Sequence, residues 1–141
     1  MSAASPVPSE KSQWTSHESW LWTGLVAGIC AAIFGSAYWT QSYHDLDIGS
    51  IGLQLFLLAC VPVIALRATR TTPYVMASLA LPAGLVFAVI ARIAVDVTSD
   101  PTSHNLWPIE IVIAGVVGLF WGFLAGGVGE LILRGRRQSR R

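Results

Sequence analysis

Apolar positions in this chain come in long runs separated by short polar stretches, with no two-residue alternation. Four runs stand out, at about 20–39, 48–66, 74–95 and 109–133. About 20 apolar residues in a helix cross roughly 30 Å of hydrocarbon, so each run is long enough to span. Each is expected to be helical, because a lone strand would leave its backbone groups unpaired in lipid. A β-barrel pattern is absent: Ile111-Val-Ile-Ala-Gly-Val-Val-Gly-Leu-Phe120 is apolar throughout. The expected fold is all-α, an integral membrane four-helix bundle with N-in/C-in topology.

Aromatic rings mark the ends of the runs. Trp20 and Trp22 open the first, and Tyr38, Trp39 and Tyr43 close it; Tyr74 opens the third and Trp107 the fourth. Amphipathic rings favour the headgroup level, which supports these boundaries. Trp121 is the exception. It falls mid-span between Phe120 and Phe123, and its indole N–H needs either a partner helix or an unsatisfied compromise. Pro62 and Pro82 lie inside spans, where each removes a backbone hydrogen bond and is expected to bend its helix.

Composition agrees with the pattern. Hydrophobic residues make up 53% of the 141 and charged residues 12%, about half the share of an ordinary soluble domain. Segment 1–19, rich in Ser and Pro, reads as a disordered cytoplasmic arm, and it lacks the basic-then-apolar order of a signal peptide. The transmembrane domain is expected over 20–133, and 134–141 reads as a basic cytoplasmic tail suited to anionic headgroups. No feature beyond that tail suggests nucleic-acid binding.

Charge placement sets the orientation. Four spans put both termini and the 67–73 turn on one side. That side carries Lys11, Arg67, Arg70, Arg134, Arg136, Arg137, Arg140 and Arg141, against Arg92 alone on the other. Basic residues stay in the cytoplasm, so loops 40–47 and 96–108 are expected outside a cell membrane.

Helices in lipid associate where small residues let backbones approach. The fourth span carries Gly118, Gly122 and Gly126 at four-residue spacing. The first carries Gly24 and Gly28, followed by Ala32 and Ser36, and the third carries Ala80, Gly84 and Ala88. Close packing of the first, third and fourth spans is expected along these stripes, with the spacing alone leaving open whether a contact is within one chain or between copies. The bulkier second span is expected to face more lipid. Cys30 and Cys60 lie in apolar runs without CxxC spacing and read as small packing residues.

Candidate chemistry concentrates outside. Arg92, Asp96, Asp100, His104 and Glu110 form an outer polar stretch. Asp45, Asp47, Asp96, Asp100 and Glu110 against Arg92 give the outer side a charge of −4. One reading is a shaped connection: Arg92 and Asp96 pair at i,i+4, Asp100-Pro101 starts a turn, and Glu110 complements the fourth helix's N-terminal dipole. A second is a metal site, since His44, Asp45, Asp47 and His104 supply nitrogen and oxygen donors for a divalent ion. A third makes Arg92, Asp96 and Glu110 gating or proton-coupling groups. No cofactor is expected, and no catalytic residue set is visible.

Several small membrane classes are disfavoured. The first span lacks the embedded glutamate of small multidrug transporters, and the charge bias opposes the dual topology of fluoride channels. All three histidines lie outside the spans, against haem ligation, and CxxC is missing, against quinone-linked thiol reductases. The leading expectation is a non-catalytic accessory or interaction subunit. It would pack against a second copy or a larger membrane-protein partner. The alternative is a small oligomeric transporter or channel.

Overall fold

The computed structural model describes residues 17–39, 50–69, 72–99 and 107–139. Among them are four α-helices and no strand: α1 (His17–Tyr38), α2 (Ser50–Thr69), α3 (Tyr74–Ser99) and α4 (Trp107–Gln138). All four are long and apolar enough to cross a membrane. The architecture is compatible with a small multi-pass membrane protein.

Local signals account for the helix ends. Pro73 precedes α3, and its carbonyl accepts the first helical bond from the Ala77 N–H at 3.0 Å. Pro108 sits in the first turn of α4, where its missing N–H costs nothing, and Glu110 shares that turn near the positive dipole end. Glu18 does the same for α1. Both α2 and α3 run on through Pro62 and Pro82. The 32 residues of α4 extend about 48 Å, well beyond one hydrocarbon thickness. Residues 134–138, which in sequence read as a separate tail, continue this helix and carry its arginines past the apolar run.

Contacts fix helix direction. Gly84 of α3 lies on Ala27, Cys30 and Ala31 of α1, and the Trp39 indole donates to the Ala88 carbonyl at 3.3 Å, so α1 and α3 are parallel. Gly118 meets Pro82 and Gly126 meets Tyr74, so α3 and α4 are antiparallel. Phe34 pairs with Phe56, and Cys30 with the Ala59 carbonyl, which makes α1 and α2 antiparallel. Cys60 reaches Trp121 and Gly129 reaches Ile64 and Arg67, which makes α2 and α4 parallel. Direction therefore alternates along the chain. The start of α1, the end of α2, the start of α3 and the end of α4 share one end of the bundle.

Around the bundle the order is α1, α3, α4, α2. The α1–α4 pair lies on the long diagonal and scarcely touches. This corrects the expected mutual packing of the first, third and fourth spans: α3 separates the other two. It is also the most enclosed helix, with 56% of its apolar window buried against 33%, 28% and 28% for α1, α2 and α4. The second helix is thus no more exposed than the fourth. The reason is that α3 is small on two opposite faces. Ala80, Gly84 and Ala88 turn to α1, while Ser78 and Pro82 turn to α4.

The seams are close enough to exclude side chains. A methyl group at Gly84 would lie 2.5 Å from the Ala27 carbonyl oxygen and 2.6 Å from Cys30 Cβ. One at Gly118 would lie 2.7 Å from Pro82 Cα, and one at Gly122 would overlap the Ser78 carbonyl oxygen. Proline explains this last contact. Pro82 has no N–H for the carbonyl four residues back, which is that of Ser78. The freed oxygen points at the Gly122 backbone, where a Cα–H···O contact can form.

The α1 stripe behaves differently. Gly24, Gly28, Ala32 and Ser36 are not buried, and nothing lies within 4 Å of a Cβ at Gly24 or Gly28. The inward face of α1 is Ser19, Thr23, Val26, Cys30 and Phe34. The stripe spacing leaves open a contact within one chain or between copies, and within this chain Gly24 and Gly28 form no seam. Bulkier side chains win the interior because they bury more apolar area and fill the gap towards α2.

Candidate functional site

At the end shared by the close of α3 and the start of α4, Arg92 Nε donates to Asp96 Oδ2 at 3.1 Å, an i,i+4 pair on one helix. Glu110 is half-buried in the first turn of α4. The antiparallel register of Pro82 with Gly118, extended towards this end, brings Glu110 within a turn of the level of Arg92. These three of the five outer candidates thus gather at one end. Asp100 and His104 lie outside the described residues, as do His44, Asp45 and Asp47 of the candidate metal set. Among the described residues no group of three His, Cys, Asp or Glu side chains could hold a metal ion.

A second polar cluster occupies the opposite end. Arg67 on α2 forms an ion pair with Glu130 Oε2 on α4. Arg134, one turn along α4, donates from Nε to Glu130 Oε1 at 3.0 Å. Both carboxylate oxygens are thus engaged by guanidinium groups. Arg67 also donates from Nη1 to the Thr72 carbonyl at 3.0 Å, tying the α2–α3 turn to α4. Its side chain is only 13% exposed, against 24% for Glu130 and 70% for Arg134. Arg67 Nε is buried without an acceptor among the described residues. Gly129 makes room for all this: a methyl there would lie 2.7 Å from Arg67 Cβ.

Compared with protein families, characterised proteins and solved structures, the chain shows no match.

The i,i+4 spacing in sequence pairs Glu130 with Arg134 but places Arg67 only as a charge of the inner turn. The signal that finds Arg67 is depth. Arg67 ends the second span and Glu130 lies near the end of the fourth, and these spans run in the same direction. Equal depth and opposite charge make them partners.

Beside this cluster runs an open groove of about 1000 Å³ along α4, with Arg67, Glu130 and Arg134 at one end and Phe120, Phe123 and Leu124 at the other. Tyr74 forms part of its wall. The Tyr74 ring packs on Phe123 with centroids 5.8 Å apart, and its hydroxyl donates to the Phe123 carbonyl at 3.1 Å. A smaller recess of about 400 Å³ lies near Ala68, Thr69, Leu133, Arg136 and Arg137. Arg136 Nη1 reaches the Ala68 carbonyl at 3.5 Å, so this recess also bridges α2 and α4.

Between the two ends the interior is apolar. Phe34, Phe56 and Trp121 form a ring series across α1, α2 and α4, with centroid separations of 4.9 and 5.6 Å. Trp121 thereby stacks its ring on Phe56 of the neighbouring α2. Val63, Ala77, Ala80, Leu81 and Ala88 are fully buried around α3. Ser78, also fully buried, spends its hydroxyl on the Tyr74 carbonyl of its own helix at 2.9 Å. Cys30 and Cys60 are free thiols in this packing.

Proposed function

We propose that the protein is a non-catalytic accessory or interaction subunit of a cell membrane, with both termini in the cytoplasm. The observation that carries this reading is the open small-residue face of α1. Gly24, Gly28, Ala32 and Ser36 lie unburied along one side of a helix that crosses the bundle. The corresponding glycines of α3 and α4 are spent on internal seams. In lipid, where apolar surface alone drives little association, such a face lets another helix approach closely. Its occupant is a second copy or a larger membrane-protein partner. The apolar, side-chain-filled interior supports the same reading over conduction through one chain, because the charged groups of the described helices sit at the two ends.

The test is native mass spectrometry of tagged protein extracted from its own membrane in mild detergent. Wild type should appear with a stoichiometric partner or as a defined homo-oligomer. Gly28→Leu, placed where a side chain meets open space, should keep the fold and lose the assembly. A monomer that carries flux in liposomes, with Arg92→Gln or Glu110→Gln abolishing it, would replace this reading with transport.

A further inference from the structure

The groove beside Arg67 and Arg134 has the chemistry of a lipid site. One end is cationic: Arg67 and Arg134 against Glu130 leave one positive charge. The rest is apolar, formed by Phe120, Phe123, Leu124, Val128 and Leu131 of α4. From Phe120 to Arg134 the helix rises about 21 Å. One leaflet of hydrocarbon is about 15 Å deep, so a charged end at headgroup level leaves most of the apolar end inside the same leaflet. Gly127 lies in the middle and presents no side chain; nothing stands within 4 Å of a Cβ there.

We infer that this groove binds one anionic glycerophospholipid, with its phosphate at Arg134 and Arg67 and an acyl chain laid over Phe123 and Val128. The two Glu130 oxygens are already engaged, but each arginine carries five N–H donors and retains some for a phosphate. Basic pockets between transmembrane helices take anionic headgroups in this way. A free phosphate would fill only the mouth and leave the apolar channel unused, which is why a lipid is the better fit. The inference goes beyond the accessory reading and stands without it, because it needs only a membrane around the helices.

The experiment uses the full chain in nanodiscs of phosphatidylcholine, with or without phosphatidylglycerol. Release into mild detergent and native mass spectrometry then count the retained lipid. Wild type should keep one phosphatidylglycerol per chain in preference to phosphatidylcholine. Arg134→Gln should lower that retention roughly fivefold, the weight of one guanidinium at an anionic headgroup. Gly127→Phe leaves every charge in place and blocks the channel, so it should lower retention at least as far. The two variants act on different parts of the groove, and thermal unfolding in phosphatidylcholine alone checks that each is folded. Equal retention of the two lipids overturns the proposal. So does phosphatidylglycerol held as well by either folded variant as by wild type, and so does displacement by inorganic phosphate, which would mark an anion site without a lipid.

Discussion

Two glycines of equal standing in the sequence differ sharply in what they do. Gly122 faces the Ser78 carbonyl oxygen, and a methyl there would overlap it. Gly24 faces open space. Gly122→Ala should therefore force α3 and α4 apart and destabilise the bundle by about 1–3 kcal/mol, the usual scale of overpacking. Gly24→Ala should be neutral or stabilising by up to about 1 kcal/mol through helix propensity. Reversible unfolding in mixed detergent measures both, and equal effects would refute the placement of the α3–α4 seam. The charged cluster gives a similar contrast. Glu130→Gln leaves Arg67 mostly buried beside a neutral amide, and a loss of about 1–3 kcal/mol is expected on the scale of hydrogen bonds to charged groups. Arg134→Gln touches a largely exposed side chain and should cost less than about 1 kcal/mol. A larger effect at Arg134 than at Glu130 would mean that Arg67 does not depend on this pair.

At the scale of helices, the length and charge-free character of the runs make four spans readable from the residues alone. Hydropathy reports how much apolar surface a helix has, and lipid makes the helical answer nearly obligatory. Which faces meet is far less legible. Gly24-x-x-x-Gly28 and Gly118-x-x-x-Gly122 look alike in sequence, yet one faces outward and the other packs on α3 at Pro82 and Ser78. The deciding information is on the partner helix, where Pro82 frees a carbonyl and Ser78 is small enough for close approach. The Arg67–Glu130 pair is hidden for the same reason, since it joins residues 63 positions apart through the parallel run of α2 and α4. The outer candidate set is legible in part, as the Arg92–Asp96 pair and Glu110, because i,i+4 spacing and first-turn placement are local. A tryptophan scan along α4 tests the assigned faces. Tryptophan at Val112, Val116 or Leu131, which face outward, should leave folding intact. At Ala114, Gly122 or Ala125 it should abolish the folded state, with a period near 3.6 residues. A flat profile would remove the argument for the α4 seams.

For the whole molecule, alternating helix direction collects the start of α1, the α2–α3 turn and the end of α4 at one end. That end carries Arg67, Arg134, Arg136 and Arg137 among the described residues, and the other carries Arg92 beside Asp96 and Glu110. Cationic flanks resist translocation, so the first of these ends is proposed to face the cytoplasm. A reporter fused after Arg141 should then be active only inside. The bias is also distributed along the chain. Neutralising all five arginines from Arg134 onward still leaves Lys11, Arg67 and Arg70 inside against Arg92 outside. That variant should therefore keep the wild-type orientation. A cysteine introduced at Ser139 should stay shielded from a membrane-impermeant maleimide in intact cells and react after lysis. If neutralising the tail instead exposes that cysteine, the tail alone sets the topology. The arginines at the α2–α3 turn would then serve packing, through Arg67 and Glu130, and contribute nothing to insertion.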